Sequence, residues 1–349
     1  MMTGASSSLP HSAVRAVKDR LLEAAKPRVR SQLIQVAASM AVIGAVGAII
    51  ADDFWLSVLT SVVALSLALA GTAILYGQLG LISLCQFALV GVGGWVTLRV
   101  GDGFHWPFSL SMLAGGVGAM LAGLAFGLPA LRLRGLYLAL VTLMLAGSYQ
   151  IVIESCGFPD GGGGLVGRVT DGTVRVMLAR PAMAQGPVAY FIYVVVIAAL
   201  GLILVQWHKS ALPGRAWALI RKGEPVAVAS GVNAVFYKAW AFALSGFLAG
   251  IAGALMAGNF GQLDARGFGA FNSLSLFALC VVGGVYNWYG AVIAAALMLG
   301  VPALLTDWGV NGYVATGIFG LALFHALATA QSGIAGQIAG LISKLTRRA

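Results

Sequence analysis

Long apolar runs separated by short polar gaps occupy the chain from about residue 33 to residue 330. A membrane-spanning helix needs about 20 mostly apolar residues. Runs of that kind lie at 33–50, 54–75, 79–98, 108–128, 135–155, 187–207, 237–258, 271–285, 287–306 and 313–330. The pattern predicts an all-α, polytopic membrane protein with about ten transmembrane helices. The run 271–285 is short for a full crossing and reads equally as a half-helix or re-entrant piece. Eight crossings with one re-entrant pair fit as well as ten.

The gaps divide the chain further. Residues 1–31 read as a basic cytoplasmic tail, 32–335 as the transmembrane domain and 336–349 as a second basic tail. Within the domain, 156–186 is an external loop containing Gly161–Gly164, read as a flexible turn, and 208–236 is a cytoplasmic loop with helical character. The basic stretch before Leu33 is longer than the charged region of a cleaved signal peptide.

Composition agrees with this picture. The chain is 60% hydrophobic and 9% charged, against about 25% charged residues in soluble domains. Its 48 glycines suit membrane helices, where small residues allow close approach and breaks. The +10 net charge would suggest nucleic acid in a soluble protein. Here the basic residues fall in the gaps, and no nucleic-acid partner is expected. With the N-terminus inside, the cytoplasmic segments collect Arg132, Arg134, Lys209, Arg215, Arg221, Lys222, Lys238 and the basic residues of both tails. Arg99, Arg168, Arg175, Arg180 and Arg266 fall elsewhere. That bias places both termini in the cytoplasm.

Residues 83–94, SLCQFALVGVGG, are echoed at 273–284, SLSLFALCVVGG. In this topology the two segments run in opposite directions. Gly-interrupted segments in inverted pairs flank the pathway of many transporters, so the echo is a candidate inverted repeat.

Catalytic and metal-binding patterns are missing from the sequence. The histidines at 11, 105, 208 and 325 are scattered, Cys85, Cys156 and Cys280 show no metal spacing, and no phosphate-binding loop occurs. His325 is the one ionisable group well inside a predicted span. If the chain is a transporter, its energy is then expected from a partner. Residues 214–231, GRAWALIRKGEPVAVASG, offer a place for one to grip: an amphipathic helix interrupted or restarted at Pro225. A solvated loop that merely holds topology is the competing reading of that stretch.

Four motifs resemble the M-type permease subunits of bacterial ABC importers for branched-chain amino acids. They are GLISLCQFALVGVGGW at 80–95, LRLRGLYLALVTL at 131–143, the stretch 214–255 that begins GRAWALIRKGEPVAVASG, and VVGGVYNWYGAVIAA at 281–295. The turn GGGGLVG at 161–167 is also similar to the family's outer loop. Cys85, Gln86, Pro225, Gln331 and the trio Tyr286, Asn287 and Trp288 depart from the family pattern, which puts the solute in doubt more than the fold.

The resemblance implies a permease subunit in the bacterial inner membrane that imports branched-chain amino acids. Its implied partners are a second, homologous permease subunit, two cytoplasmic ATP-binding subunits that hold the ATP, and an extracytoplasmic substrate-binding protein. The chain itself needs no cofactor. The implied pathway residues are Ser83, Gln86, Phe87, Gly91, Thr142, Ser275, Phe277, Gly283 and Gly284, lining and packing rather than reacting. The implied ATPase-coupling residues are Gly214, Arg215, Arg221, Glu224, Ala227 and Gly231. Three alternatives stay open: an importer of urea or short amides, a self-sufficient carrier using His325, and a membrane enzyme, for which no catalytic constellation is visible.

Overall fold

The computed structural model describes residues 11–50, 52–133, 135–155, 178–263, 265–311 and 333–337, with residues 314, 317, 320 and 321. Arg134, residues 156–177 of the external loop with Gly161–Gly164, Arg168 and Arg175, nearly all of the span 313–330 with His325, Gln331, and residues 338–349 lie outside this set.

Every regular element among the described residues is helical. The helices are α1 (His11–Ile50), α2 (Asp53–Ala73), α3 (Gln86–Phe104), α4 (Phe108–Gly127), α5 (Leu136–Ser155) and α6 (Pro187–Ser210). They continue with α7 (Leu212–Lys222), α8 (Glu224–Ala229), α9 (Ala234–Phe260), α10 (Ala270–Gly283), α11 (Trp288–Ala295) and α12 (Val301–Asp307). Wide π-turns extend α2 over Ile74–Leu79 and join α11 to α12 over Ala296–Gly300. Seven stretches are long and apolar enough to cross a membrane, and α10 is a shorter apolar helix. These elements account for nine of the ten predicted runs. Three boundaries move: α1 starts at His11, inside the predicted tail 1–31; the helix of the predicted span 54–75 continues to Leu79; and the predicted span 79–98 becomes a helix that starts only at Gln86, with residues 80–85 not helical.

The layering follows from burial. The α2 and α9 spans are 89% and 94% buried, whereas those of α1, α4, α5 and α6 are between 22% and 39% buried. So α2 and α9 form the centre, and α3 and α4 pack directly on α9. The outer helices turn apolar stripes outward: Leu110, Leu113, Val117 and Leu121 on α4, and Val188, Ile192, Val196 and Leu200 on α6. Spacings of three and four residues place such groups on one helical face. With so few charges available, that face fits lipid rather than water.

Glycine brings the central helices together. A Cβ on Gly253 of α9 would lie 1.9 Å from the Val90 carbonyl oxygen of α3. One on Gly93 would lie 2.2 Å from the Gly250 Cα, and one on Gly246 would lie 2.4 Å from the Ala119 carbonyl oxygen of α4. The sequence GFLAG at 246–250 therefore works as a small-xxx-small contact surface.

Contacts also fix which element ends lie together. Gln206, near the end of α6, donates to Gln32, near the predicted start of the first span. Lys238, near the start of α9, donates to the Ala130 carbonyl after α4. At the opposite end Asn259 of α9 donates to Ser57 and Ser61 of α2. Arg180 there donates to the Gly258 and Asn259 carbonyls and lies over the Tyr190 ring. Arg132, Lys209, Arg215, Arg221, Lys222 and Lys238 thus share one end of the bundle, and Arg99 and Arg180 belong to the other.

Candidate functional site

Two interruptions of the bundle meet at its basic end. The first follows α2. Its α-helical pattern widens into a π segment, ends at Gly80 with φ +74°, and gives way to non-helical chain over 80–85. Most of that chain is buried, Ser83 and Cys85 almost completely. Irregular backbone at membrane depth survives only where its polar groups find partners. Here the N–H of Leu81 donates to the Leu75 carbonyl at 3.0 Å. The N–H of Leu84 donates to the Thr142 hydroxyl of α5 at 2.9 Å. The Ser83 hydroxyl lies 3.3 Å from Cys85 Sγ.

The second interruption separates α10 from α11. Gly284 has φ +108°, a conformation that L side chains rarely adopt. A Cβ on Gly283 would meet the Gly290 carbonyl oxygen at 2.4 Å, so the start of α11 folds tightly back on the end of α10. The two interruptions touch. A Cβ on Gly77 would lie 2.8 Å from the Val285 carbonyl oxygen. The Tyr76 and Phe277 rings meet edge to face with centroids 5.2 Å apart.

The structure gathers the expected pathway residues into two groups and leaves one apart. Ser83, Gln86, Phe87, Gly91 and Thr142 surround the first interruption. Phe87 stacks on Phe268 at 5.4 Å, and a Cβ on Gly91 would meet the Tyr149 hydroxyl at 2.8 Å and Phe268 at 2.9 Å. Gln86 is buried; its Nε2 donates to the Ser245 carbonyl at 2.9 Å and lies 2.8 Å from the Ser245 hydroxyl. Its Oε1 accepts no hydrogen bond among the described residues. Phe277, Gly283 and Gly284 belong to the second interruption. Ser275 stands apart: half-exposed, it returns its hydroxyl to the Phe271 carbonyl of its own helix.

The echo between 83–94 and 273–284 does not carry over into local structure. Ser83–Cys85 is non-helical and Gly93–Gly94 lies inside α3, whereas Ser273 is inside α10 and Gly283–Gly284 ends it.

The coupling stretch is built as two short helices that meet at Gly223. Gly223, with φ +154°, ends α7, and Pro225 stands in the first turn of α8, where a missing N–H costs nothing. The break therefore falls at Gly223, and Pro225 restarts the helix. Gly214 permits the tight entry from α6, since a Cβ there would lie 2.0 Å from the Lys209 carbonyl oxygen. Ala227 is fully buried, and Gly231, with φ +77°, closes the turn into α9. Trp217 is buried and donates from Nε1 to the Tyr237 carbonyl at 2.9 Å. Glu224 pairs with the buried Lys238 of α9.

Arg221 is exposed, and its side chain folds back onto the bundle. Its Nη1 donates to the Gly77 carbonyl, its Nη2 donates to the Tyr286 hydroxyl at 2.7 Å, and its guanidinium lies 5.3 Å from the centre of the Tyr286 ring. Arg215 remains exposed, as do Val226, Val228, Val235 and Phe236. The bundle thus offers an outward face that is apolar and basic and an inward hand that holds both interruptions.

A family model described as "Branched-chain amino acid transport system / permease component" matches residues 54–340. The chain belongs to this family. The match contains both interruptions and the coupling helices, and the family is one of transport components, not enzymes. Among curated proteins, the chain is similar to the high-affinity branched-chain amino acid transport system permease protein LivM of Escherichia coli (strain K12), 26% identical over 260 residues. It is similar to the protein of the same name from Salmonella typhimurium (strain LT2), 25% identical over 260 residues. Each alignment covers 68% of this chain and 60% of the relative, so the chain spans about 60% of the length of the curated relatives it matches. No solved structure matches it.

Gly77, Ser245, Lys238 and Tyr286 are the site residues that sequence reasoning missed. Tyr286 had a signal, since it interrupts the glycine motif where a small residue is usual. The others look like ordinary helix residues until the tertiary contacts are known.

Proposed function

We propose that this chain is the membrane-spanning subunit of an ATP-driven importer for branched-chain amino acids. The observation that carries the reading is the α7–α8 element, which is joined to both interruptions while its other face is exposed among the described residues. Movement imposed on that face has a direct path to both interruptions. The apolar and basic residues of the open face, Arg215, Val226, Val228 and Phe236, suit an ATP-binding partner. The names of the two relatives support branched-chain amino acids as the solute.

In this reading a second, homologous permease completes the pathway, two ATP-binding subunits hold the nucleotide, and an extracytoplasmic binding protein delivers the solute. The chain lies in the bacterial inner membrane with both termini in the cytoplasm. The gathering of basic residues at the α7–α8 end supports that orientation. Hydrolysis would shift the pathway between inward-open and outward-open arrangements, a change of population between two states. Ser83, Gln86, Phe87, Gly91, Thr142, Ser275, Phe277, Gly283 and Gly284 act by lining and packing.

The test is to purify the tagged chain from native membranes in mild detergent, identify its partners by mass spectrometry and reconstitute the assembly in liposomes. A second permease, two nucleotide-binding subunits and ATP-dependent uptake of leucine, isoleucine or valine are expected. ATP-dependent uptake of urea instead would reassign the solute. Recovery of the chain without an ATPase, with uptake driven by an ion gradient, would replace the reading with that of a self-sufficient carrier.

A further inference from the structure

The π segment after α2 ends without a continuing helix, so its last carbonyls lack the N–H groups that a further turn would supply. One of them, on Gly77, is met by Arg221 from a different element. A cation at a helix C-terminus also complements the helix dipole. The same guanidinium reaches the second interruption, where it contacts Tyr286 through the hydroxyl at 2.7 Å and through the ring face at 5.3 Å. The stem of Arg221 passes Gly80, where a Cβ would lie 3.6 Å from Arg221 Cγ. One side chain thereby touches the end of the π segment, where the first bend begins, and Tyr286 within the second.

The helix that carries it is itself fixed. Trp217 is hydrogen-bonded to Tyr237, and Glu224 is paired with Lys238, both at the start of α9. An ordinary surface arginine contributes little and is free to swing. Arg221 is exposed too, but its planar fork makes two hydrogen bonds at once, from an anchored helix, to two backbone breaks that already touch.

We propose that Arg221 is the positioning residue of transport, joining the α7–α8 element to both interrupted helices so that the element and the two breaks move as one body. This rests on the importer reading, in which α7–α8 receives the push of an ATPase. Tyr286, which replaces the small residue usual in the fourth motif, provides the second grip. In Arg221→Gln the two breaks no longer follow the coupling helices. In Arg221→Lys a point charge meets Gly77 without the fork that also reaches Tyr286.

The experiment uses the reconstituted assembly and reads leucine uptake and ATP hydrolysis side by side. Arg221→Gln is expected to lower uptake by about tenfold or more, as loss of a charged hydrogen bond would, while hydrolysis continues. Tyr286→Phe, which keeps the ring and loses the hydroxyl, is expected to lower uptake less. The double variant is expected to be no worse than Arg221→Gln alone, because both act on one linkage. Uptake per ATP at the wild-type ratio in Arg221→Gln, or independent multiplying losses in the double variant, would overturn the proposal.

A second measurement separates this from the importer reading itself. Amide hydrogen exchange on the chain alone in lipid nanodiscs should show Arg221→Gln loosening residues 74–80 and 284–287 together, with α9 unchanged. If wild type shows no ATP-dependent uptake, the importer reading fails, and the exchange result still decides the linkage. Faster exchange confined to α7 would sink it.

Discussion

The backbone N–H of Leu84 donates to the hydroxyl of Thr142, 2.9 Å away and 58 residues along the chain. Through this bond α5 secures the buried, non-helical stretch that precedes α3. Thr142 in turn lies within reach of the Leu138 and Ala139 carbonyls of its own helix, each at 3.0 Å. Its hydroxyl proton is thus directed backward along α5 and its lone pair toward Leu84.

Thr142→Val keeps the shape and removes the acceptor, leaving a buried N–H unpaired at a cost of about 1–3 kcal/mol. The expected result is a lower unfolding temperature of the purified chain and reduced uptake. Thr142→Ser should restore both, since it returns the oxygen. A valine variant as stable and as active as wild type would show that the bend does not depend on this bond.

The α3–α4–α9 crossing gives a second prediction. Gly253→Ala puts a methyl 1.9 Å from the Val90 carbonyl oxygen and 2.7 Å from the Gly94 nitrogen. Both obstacles are backbone, so no rotamer relieves the clash, and whole helices must separate. Overpacking costs about 1–3 kcal/mol where side chains can adjust, and this site should exceed that. Gly253→Ala is expected to yield little folded protein by size-exclusion fluorescence, while Gly186→Ala, with open space around it, should behave as wild type.

Much of this fold was legible in the sequence because lipid imposes a simple rule on length and polarity. Nine of the ten apolar runs became helices, and α10 proved short, as 271–285 suggested. The start of α3 was not legible. Residues 80–85 are as apolar as their neighbours, and what keeps them from being helical is a set of distant partners. The coupling segment was legible as a segment, down to the break beside Pro225. Its individual roles were not, because charge alone says nothing about partners: Arg221 and Glu224 carry the expected chemistry but are bonded to residues of this chain. Joint replacement of these two residues is still expected to abolish transport while the protein stays in the membrane. The expected cause is now the loss of internal links to Gly77, Tyr286 and Lys238.

Glu224 and Lys238 supply the third prediction. Lys238 is 3% exposed and Glu224 is 23% exposed. Removing one partner of a largely buried pair leaves the other charge poorly compensated, at a cost of about 3–5 kcal/mol in full burial and less here, where Glu224 reaches solvent. Glu224→Gln should lower the unfolding temperature by several degrees. Adding Lys238→Met should recover most of that loss, because no buried charge is then left and the amide at position 224 reaches solvent. A double variant less stable than the single one would mean that Lys238 contributes mainly through its bond to the Ala130 carbonyl.

Gln86 supplies the fourth. Its Nε2 is well used, against the Ser245 carbonyl and hydroxyl, but its Oε1 is buried and accepts no hydrogen bond among the described residues. A buried acceptor without a donor costs about 1–3 kcal/mol, roughly what the two contacts of the amide nitrogen return. The side chain is therefore close to neutral for stability, and an apolar residue of similar length should be tolerated by the fold. Gln86→Met is expected to change the unfolding free energy by less than about 1 kcal/mol. If Gln86 belongs to the passage, the same variant should lower uptake severalfold and change the relative rates for leucine, isoleucine and valine. Unchanged uptake with unchanged stability would remove Gln86 from the pathway and leave Ser83, Phe87, Gly91 and Thr142 as its candidates on this side. A large loss of stability would instead make the Gln86–Ser245 contact a structural tie between α3 and α9.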